Sequence, residues 1–187
     1  MRYKGFNLTA VWLLIAVNLL LFIATSVNQD LILILGLQPV SFLDRPWTIV
    51  TNLFVHAEFW HLIGNMMTLY FFGRYVLRLV GEARFLLVYL VGGIVGNILF
   101  LLLASPHSIG IGASGAIYAL GGVLMVMVPN LKVVILPLPI PLPLWVTILI
   151  GLAISFFPGI AWEAHMGGLA CGLVAGYFLR RRMSRIL

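Results

Sequence analysis

Four polar side chains near the ends of apolar stretches are of the types that nucleophilic catalysis requires. They are Ser114, His165, His61 and Asn65. A neutral imidazole can remove the proton from a serine hydroxyl and so activate that hydroxyl for attack on a carbonyl. A second imidazole and an amide can donate hydrogen bonds to the oxyanion that the attack produces. Together these residues predict acyl transfer by a serine–histidine pair.

The surroundings of Ser114 are rich in glycine, with Gly110, Gly112 and Gly115 close to it in the chain. We expect Gly110 and Gly112 to turn the chain tightly into a helix that begins at Ser114. Free backbone N–H groups at a helix N-terminus favour negative charge, which suits an oxyanion. Taken alone, a serine in this position is more often only a helix cap. The catalytic interpretation therefore depends on the other three side chains.

Composition indicates what kind of structure must position these residues. Of the 187 residues, 63% are hydrophobic and only 9% are charged, and the mean hydropathy is +1.14. A soluble domain is about half apolar and a quarter charged, so a soluble enzyme and a disordered chain are both excluded. A single cysteine, Cys171, provides neither a disulfide framework nor a zinc knuckle. The sequence predicts one membrane-embedded domain over residues 1–187.

Six apolar stretches are predicted to cross the membrane as helices. The predicted fold is thus an all-α polytopic membrane protein, with a long and partly embedded outer loop between helices 1 and 2. Pro129 ends the fourth stretch, and residues 137–143 are predicted to be extended at the interface, which leaves the fifth helix short. A basic cytoplasmic tail is expected over residues 180–187. The predicted spans are about 9–27, 61–80, 85–104, 114–128, 142–157 and 161–179.

These spans place the polar residues at one depth. Because successive helices alternate in direction, His61, Ser114 and His165 all lie near outer ends. On an ideal helix each of them shares a face with other polar or small residues, and glycines let neighbouring backbones approach closely. Such an approach would bring the imidazole of His165 to the hydroxyl of Ser114. The three faces consist of His61, Asn65 and Thr68; of Ser114, Tyr118 and Gly121; and of His165, Gly168, Gly172 and Gly176.

The basic residues predict the orientation of the chain. With the N-terminus in the cytoplasm, every Lys and Arg except Arg45 falls on the cytoplasmic side. The positive-inside rule then places both termini in the cytoplasm and the polar cluster toward the outer side. Charges at membrane flanks face anionic lipid, so no nucleic-acid partner is expected. Short tails and the lack of a transit peptide favour a prokaryotic plasma membrane.

Other intramembrane chemistries lack the residues they need. No acidic residue lies deep in a predicted span, which excludes the carboxylate pair of an aspartyl protease. The spacing of His56 and His61 does not fit a helical zinc motif, so no metal and no cofactor are expected. Asn18 and Asn97 are predicted to form interhelical hydrogen bonds. His56 and His107 are expected in outer loops, without a chemical role.

Three motifs resemble those of the rhomboid family of intramembrane serine proteases. They are His61-Leu-Ile-Gly-Asn65, Gly112-Ala-Ser-Gly115, and Ala164-His-Met-Gly-Gly168 followed by Gly172. The resemblance covers essentially the whole chain and implies a rhomboid-like six-helix bundle. The roles it implies are nucleophile for Ser114, general base for His165, oxyanion stabilisation for His61 and Asn65, and support from Tyr118 and Gly112.

The resemblance also extends to two flanking features. Trp47 matches the Trp-Arg motif of the family's outer loop, although Thr48 replaces the arginine. The short, proline-led fifth span fits the flexible helix that is a proposed lateral gate in the family. The implied activity is cleavage of transmembrane-helix substrates within or near the outer face of the bilayer.

Two alternatives remain at this point. A rhomboid-like pseudoprotease would bind membrane proteins without cutting them, but such members lack the serine or the histidine, and this chain has both. A small transporter is disfavoured for two reasons. This chain lacks carboxylates deep in its predicted spans, and its polar groups cluster at one shallow depth. Transmembrane proteins and the lipid bilayer are the expected partners, and the sequence leaves the oligomeric state open.

Overall fold

The computed structural model describes residues 9–135 and 138–183, and most of these residues are helical. The apolar stretches form the long helices, and two short helices and two 3₁₀ turns, at Pro39–Ser41 and Asn52–Phe54, fill the long outer connection. In chain order the helices are α1 (Thr9–Val27), α2 (Asp30–Leu35), α3 (Thr48–Thr51), α4 (Phe59–Val80), α5 (Glu82–Leu103), α6 (Ser114–Met127), α7 (Leu144–Ile154) and α8 (Trp162–Met183).

Each predicted span corresponds to one of these helices, and the differences are at the ends. Helix α7 begins directly after Pro143 and ends at Ile154, so it is shorter than the span predicted over residues 142–157. Helix α8 continues to Met183, so the first residues of the predicted tail are helical. Arginine is a good helix former and suits the negative end of a helix dipole, which explains the extension. Residues 184–187 lie outside the described residues.

The proline-rich segment forms part of a small β-hairpin, which the all-helical prediction omits. Strand β1 (Lys132–Ile135) pairs antiparallel with strand β2 (Leu138–Pro143). The predicted extended conformation is confirmed for residues 138–143. Proline has no N–H group to donate and favours extended backbone, so it is accommodated on the edge of a ladder. Residues 136 and 137, between the strands, lie outside the described residues.

Two described helices are long and apolar enough to cross a membrane by length and composition, α1 with mean hydropathy 2.4 and α5 with 2.5. Helices α6 and α7 are apolar but shorter. Large apolar side chains such as Leu20 and Leu102 point outward with 66% and 72% of their surface exposed. The crossing of the membrane by all six helices stays a prediction.

Helix α6 lies at the centre of the bundle and packs against α4, α5 and α8. Its side chains Leu120 and Leu124 are fully buried. The backbone of α8 approaches it so closely that a Cβ added at Gly168 would overlap the Gly115 carbonyl, and one at Gly172 would overlap the Ala119 carbonyl. The predicted close contact along the glycine face of the sixth span is therefore confirmed.

The outer connection between α1 and α4 is stabilised by internal hydrogen bonds. Side chains from its second half donate to the last carbonyl groups of α2. The last carbonyls of a helix have no partner within it. Here the carbonyl of Leu33 accepts from the Arg45 guanidinium, that of Ile34 from the Trp47 indole at 3.1 Å, and that of Leu35 from the Thr51 hydroxyl at 2.7 Å. Thr48 is buried and donates to the Arg45 carbonyl. Arg45 thus supplies a guanidinium to this loop although Thr48 stands in the expected arginine position.

Asn97 of α5 bonds the outer connection rather than another long helix. Its amide N–H group donates to the Asn52 side chain and to the Ile49 carbonyl, both at 2.7 Å, and Asn52 donates back at 3.0 Å. Asn18 donates to the Leu14 carbonyl of its own helix. The predicted interhelical hydrogen bond is confirmed for Asn97, since its partner Ile49 lies in α3. It is wrong for the amide N–H group of Asn18, because the Leu14 carbonyl one turn earlier accepts from it.

Candidate active site

Ser114 and His165 lie in contact although 51 positions separate them in the chain. Ser114 is the first residue of α6, and His165 lies in the first turn of α8, so both side chains stand at the same end of the bundle. The distance from Ser114 Oγ to His165 Nε2 is 2.7 Å. Ser114 is half-buried and His165 is 8% exposed. The Ser114 hydroxyl makes this contact instead of capping its helix.

The turn before Ser114 depends on Gly112. Its φ of 113° lies in the region that only glycine adopts readily, and its N–H group donates to the Asn52 carbonyl at 2.9 Å. Of the two glycines expected to make this turn, Gly110 does not have a positive φ. It pairs instead with Leu37 through two backbone hydrogen bonds of 2.7 and 2.9 Å. The outer connection therefore holds the loop that delivers Ser114.

His61 and Asn65 lie one turn apart on α4, beside Gly112. A Cβ at Gly112 would lie 2.8 Å from both Cε1 and Nε2 of His61 and 3.7 Å from Asn65 Nδ2. Asn65 is buried and donates one amide hydrogen to the His61 carbonyl at 3.0 Å, which leaves its second hydrogen for another acceptor. Thr68, on the same face, bonds the Gly64 carbonyl of its own helix. The structure thus places His61 and Asn65, but not Thr68, next to the turn that precedes Ser114.

Tyr118 stacks on His165. The ring centroids are 4.5 Å apart and the planes are inclined by 24°. Tyr118 stands one turn after Ser114 on α6, so the same helix presents the serine hydroxyl to the imidazole edge and an aromatic ring to the imidazole face. Stacking of this kind restricts the rotation of the imidazole ring.

Ser155 is a site residue that the sequence analysis missed. It follows α7 directly, is 2% exposed, and its Oγ lies 2.7 Å from His165 Nδ1 and 2.8 Å from the Gly151 carbonyl oxygen. The Tyr118 hydroxyl is 3.5 Å away. A signal was present, because Ser155 ends an apolar span at the same predicted depth as Ser114 and His165.

His56 lies in a loop, as predicted, but it is fully buried against His61. The ring centroids are 4.9 Å apart in an edge-on arrangement. Burial, followed by the neighbouring His61, lowers the pKa of His56 from 6.5 to about 3. His56 is therefore neutral at physiological pH and packs behind a candidate oxyanion residue. The predicted loop position of His56 is confirmed, and its contact with His61 is one of packing.

The acidic residue nearest to His165 in the chain faces elsewhere. Glu163 is buried and lines a separate cavity with Phe100 and Trp162 at the start of α8. A carboxylate there cannot orient the imidazole as the aspartate of a triad does. Within residues 9–135 and 138–183, no three His, Cys, Asp or Glu side chains are grouped so that they could hold a metal ion.

Comparison with known proteins identifies the family to which this arrangement belongs. The family model of the Rhomboid domain matches residues 43–182, about three quarters of the chain. The chain belongs to the rhomboid family. Since several of its helices are strongly apolar, this rhomboid chain is an integral membrane protein.

Relatives of this rhomboid chain occur in bacteria, plants and fungi. It is similar to Rhomboid protease GluP of Bacillus subtilis, with 32% identity over 96% of this chain and 38% of the bacterial protein. RHOMBOID-like protein 4 of Arabidopsis thaliana is 33% identical over 73% of this chain and 34% of the plant protein. Rhomboid protein 1, mitochondrial, of Saccharomyces cerevisiae is 28% identical over 74% and 43%. The chain thus spans less than half the length of these curated relatives.

Proposed function

We propose that this rhomboid chain is an intramembrane serine endopeptidase that cleaves transmembrane-helix substrates with Ser114 as nucleophile and His165 as general base. The observation that carries the proposal is the 2.7 Å distance between Ser114 Oγ and His165 Nε2. A nucleophile and a base at hydrogen-bond distance are the minimum that covalent catalysis requires. Its similarity to a relative named as a rhomboid protease supports the same reaction.

The reaction begins when Ser114 Oγ attacks the scissile carbonyl carbon and its proton passes to His165 Nε2. The carbonyl oxygen becomes an oxyanion, which accepts hydrogen bonds from the His61 ring, the free amide hydrogen of Asn65 and the Ser114 N–H group. His165 then gives the proton to the leaving amine, and the C–N bond breaks. Water then attacks the acyl ester while the same imidazole takes its proton. The ester C–O bond breaks, and His165 returns the proton to Ser114 Oγ.

We further propose that helices α1, α4, α5, α6, α7 and α8 all span the membrane. Both termini then lie in the cytoplasm, and the site at Ser114 opens toward the outer side. The polar residues at one end of the bundle and the basic residues at the other support this orientation. Helix α7 is the natural entry side for a substrate helix, since only Leu144 and Ile148 among its eleven residues are buried. A prokaryotic plasma membrane is the proposed location.

The first test is labelling of the detergent-purified protein by a fluorophosphonate, which reacts with activated serines. We expect the wild type to be labelled and Ser114→Ala and His165→Ala to lose labelling by at least about a hundredfold. Ser105→Ala and His107→Ala are matched controls, because both side chains are exposed in the loop before Ser114. Equal labelling of wild type and Ser114→Ala would refute the proposal.

The second test separates a protease from a pseudoprotease. Proteoliposomes that contain the wild type or Ser114→Ala receive a panel of single-span helices with helix-breaking residues near the outer interface. A protease yields products that depend on Ser114, and those products locate the cleavage site. Capture of the helices by both forms without any product would instead establish binding without cleavage.

A further inference from the structure

We infer that Ser155 is a positioning residue for His165, holding the imidazole in the tautomer that can accept the Ser114 proton. The inference rests on the proposed function of Ser114 and His165 as nucleophile and base. It assigns to a neutral hydroxyl on the segment after α7 the orienting role that a carboxylate has in a serine-protease triad.

The atoms around Ser155 determine which hydrogen bond its hydroxyl donates and which it accepts. Its Oγ lies 2.8 Å from the Gly151 carbonyl oxygen and 2.7 Å from His165 Nδ1. A hydroxyl has one hydrogen to donate, and a carbonyl oxygen can only accept. A serine at the end of a helix commonly donates to the carbonyl four residues earlier, as the distance to Gly151 indicates. When it does, Oγ can meet Nδ1 only as an acceptor, so Nδ1 carries the hydrogen.

The position of that hydrogen determines what Nε2 can do. A neutral imidazole has one N–H group, so a hydrogen on Nδ1 leaves Nε2 with a free lone pair. Nε2 lies 2.7 Å from Ser114 Oγ, where it accepts the serine hydrogen. The resulting chain runs from Ser114 through His165 and Ser155 to Gly151, with every hydrogen pointing in one direction. The opposite tautomer would aim an N–H group at the nucleophile and prevent its deprotonation.

Burial makes the hydroxyl an effective partner for Nδ1. Ser155 is 2% exposed and His165 is 8% exposed, so water has little access to compete for Nδ1. Within the described part of the chain, no hydrogen-bond partner of Nδ1 other than Ser155 is found. Tyr118 covers the face of the ring and does not reach Nδ1 in its plane. Removal of the hydroxyl would therefore leave both tautomers accessible.

The test compares Ser155→Ala and Ser155→Thr with Thr147→Ala. Thr147 also back-bonds within α7, donating to the Leu144 carbonyl at 2.7 Å, so its loss controls for removal of a hydroxyl from the same helix. The readout is the second-order rate of fluorophosphonate labelling across pH. We expect Ser155→Ala to be slower by about ten- to a hundredfold, Ser155→Thr to keep most of the rate because it keeps the hydroxyl, and Thr147→Ala to be unchanged.

A spectroscopic measurement tests the inference without relying on activity. In protein with ¹⁵N-labelled histidine side chains, the Nδ1 and Nε2 shifts of His165 identify which nitrogen carries the hydrogen, and His165→Gln assigns the signals. We expect hydrogen on Nδ1 in the wild type and a mixture in Ser155→Ala. Hydrogen on Nε2 in the wild type, or an unchanged tautomer and labelling rate in Ser155→Ala, would overturn the inference. An inert wild type with hydrogen on Nδ1 would defeat the proposed function but leave the inference standing.

Discussion

At the scale of single residues, the candidate site is a chain of short contacts centred on His165. Ser114 lies at one ring nitrogen and Ser155 at the other, each at 2.7 Å, and Tyr118 covers the ring face. Helix α6 supplies Ser114 and Tyr118, the end of α7 supplies Ser155, and α8 supplies the imidazole. The imidazole is therefore held in position and direction without a carboxylate, which is the feature that separates this site from a serine-protease triad.

His56 gives a prediction about stability at the same scale. Its pKa of about 3 in the folded protein lies below the ordinary 6.5, so between these values the unfolded chain binds a proton that the folded protein does not. Lowering the pH from 7 to 5 should therefore reduce the free energy of unfolding by about 2 kcal/mol through this residue alone.

The measurement is the midpoint of unfolding in mixed detergent micelles at pH 7 and pH 5, for the wild type and for His56→Gln. We expect the variant to lose about 2 kcal/mol of the decrease in unfolding free energy that the wild type shows between pH 7 and pH 5. His107→Gln is the control, because His107 is exposed and should leave that dependence intact. An identical pH dependence in the wild type and His56→Gln would contradict a neutral buried His56.

At the scale of helices, the contact between α6 and α8 sets the distance between the two proposed catalytic residues. The glycine face of α8 lets its backbone lie directly on α6, with no room for a Cβ at Gly168 or Gly172. Helix α7 buries only two of its eleven residues, yet it leads directly into Ser155. If α7 moves aside to admit a substrate, the hydroxyl leaves Nδ1, so we expect the base to be correctly oriented only after α7 returns.

Gly172→Ala tests the helix contact. The added methyl group would overlap the Ala119 carbonyl, so the helices must separate or the backbone must shift. We expect a loss of at least about 2 kcal/mol in unfolding free energy, despite the higher helix propensity of alanine, and loss of serine labelling. Gly64→Ala makes the same chemical change where no atom lies within 4 Å, and it should be neutral or slightly stabilising. Equal unfolding midpoints for the two variants would contradict the packing argument.

At the scale of the whole molecule, the polar cluster and the hairpin lie at opposite ends of α6. The loop that contains Ser105 leads to Ser114, whereas Asn130 lies between the other end of α6 and strand β1. If Ser114 opens to the outer side, these two loops must be on opposite sides of the membrane. The proposed location of the site therefore predicts the side of the membrane on which each loop lies.

We expect a membrane-impermeant thiol reagent to label Ser105→Cys in intact cells and to label Asn130→Cys only after permeabilisation. Both changes are made in a Cys171→Ala background, since Cys171 is the single cysteine of the chain. Retention of fluorophosphonate labelling checks that each variant is folded. The reverse pattern of thiol labelling would place the site on the cytoplasmic side.

The helices and the residues that share a depth follow from local properties of the sequence. Apolar stretches, proline breaks and helical periodicity are local properties, so the six long helices, the extended segment 138–143 and the proximity of His165 to Ser114 could be anticipated. The same periodicity and alternation of helix direction predict that His61 lies at the depth of Ser114. These features depend on how far along a helix a residue lies, and that distance follows directly from the residue's position in the sequence.

The partners that complete the site depend on contacts between segments that are distant in the chain. Ser155 meets His165, and His56 meets His61, because of how the segment after α7 and the outer connection fold back on the bundle. Gly110 pairs with Leu37 and Asn97 with Asn52, although either could have bonded elsewhere. Hydrogen-bonding side chains have many possible partners, and periodicity does not choose among them. The choice is made by packing between segments distant in the chain.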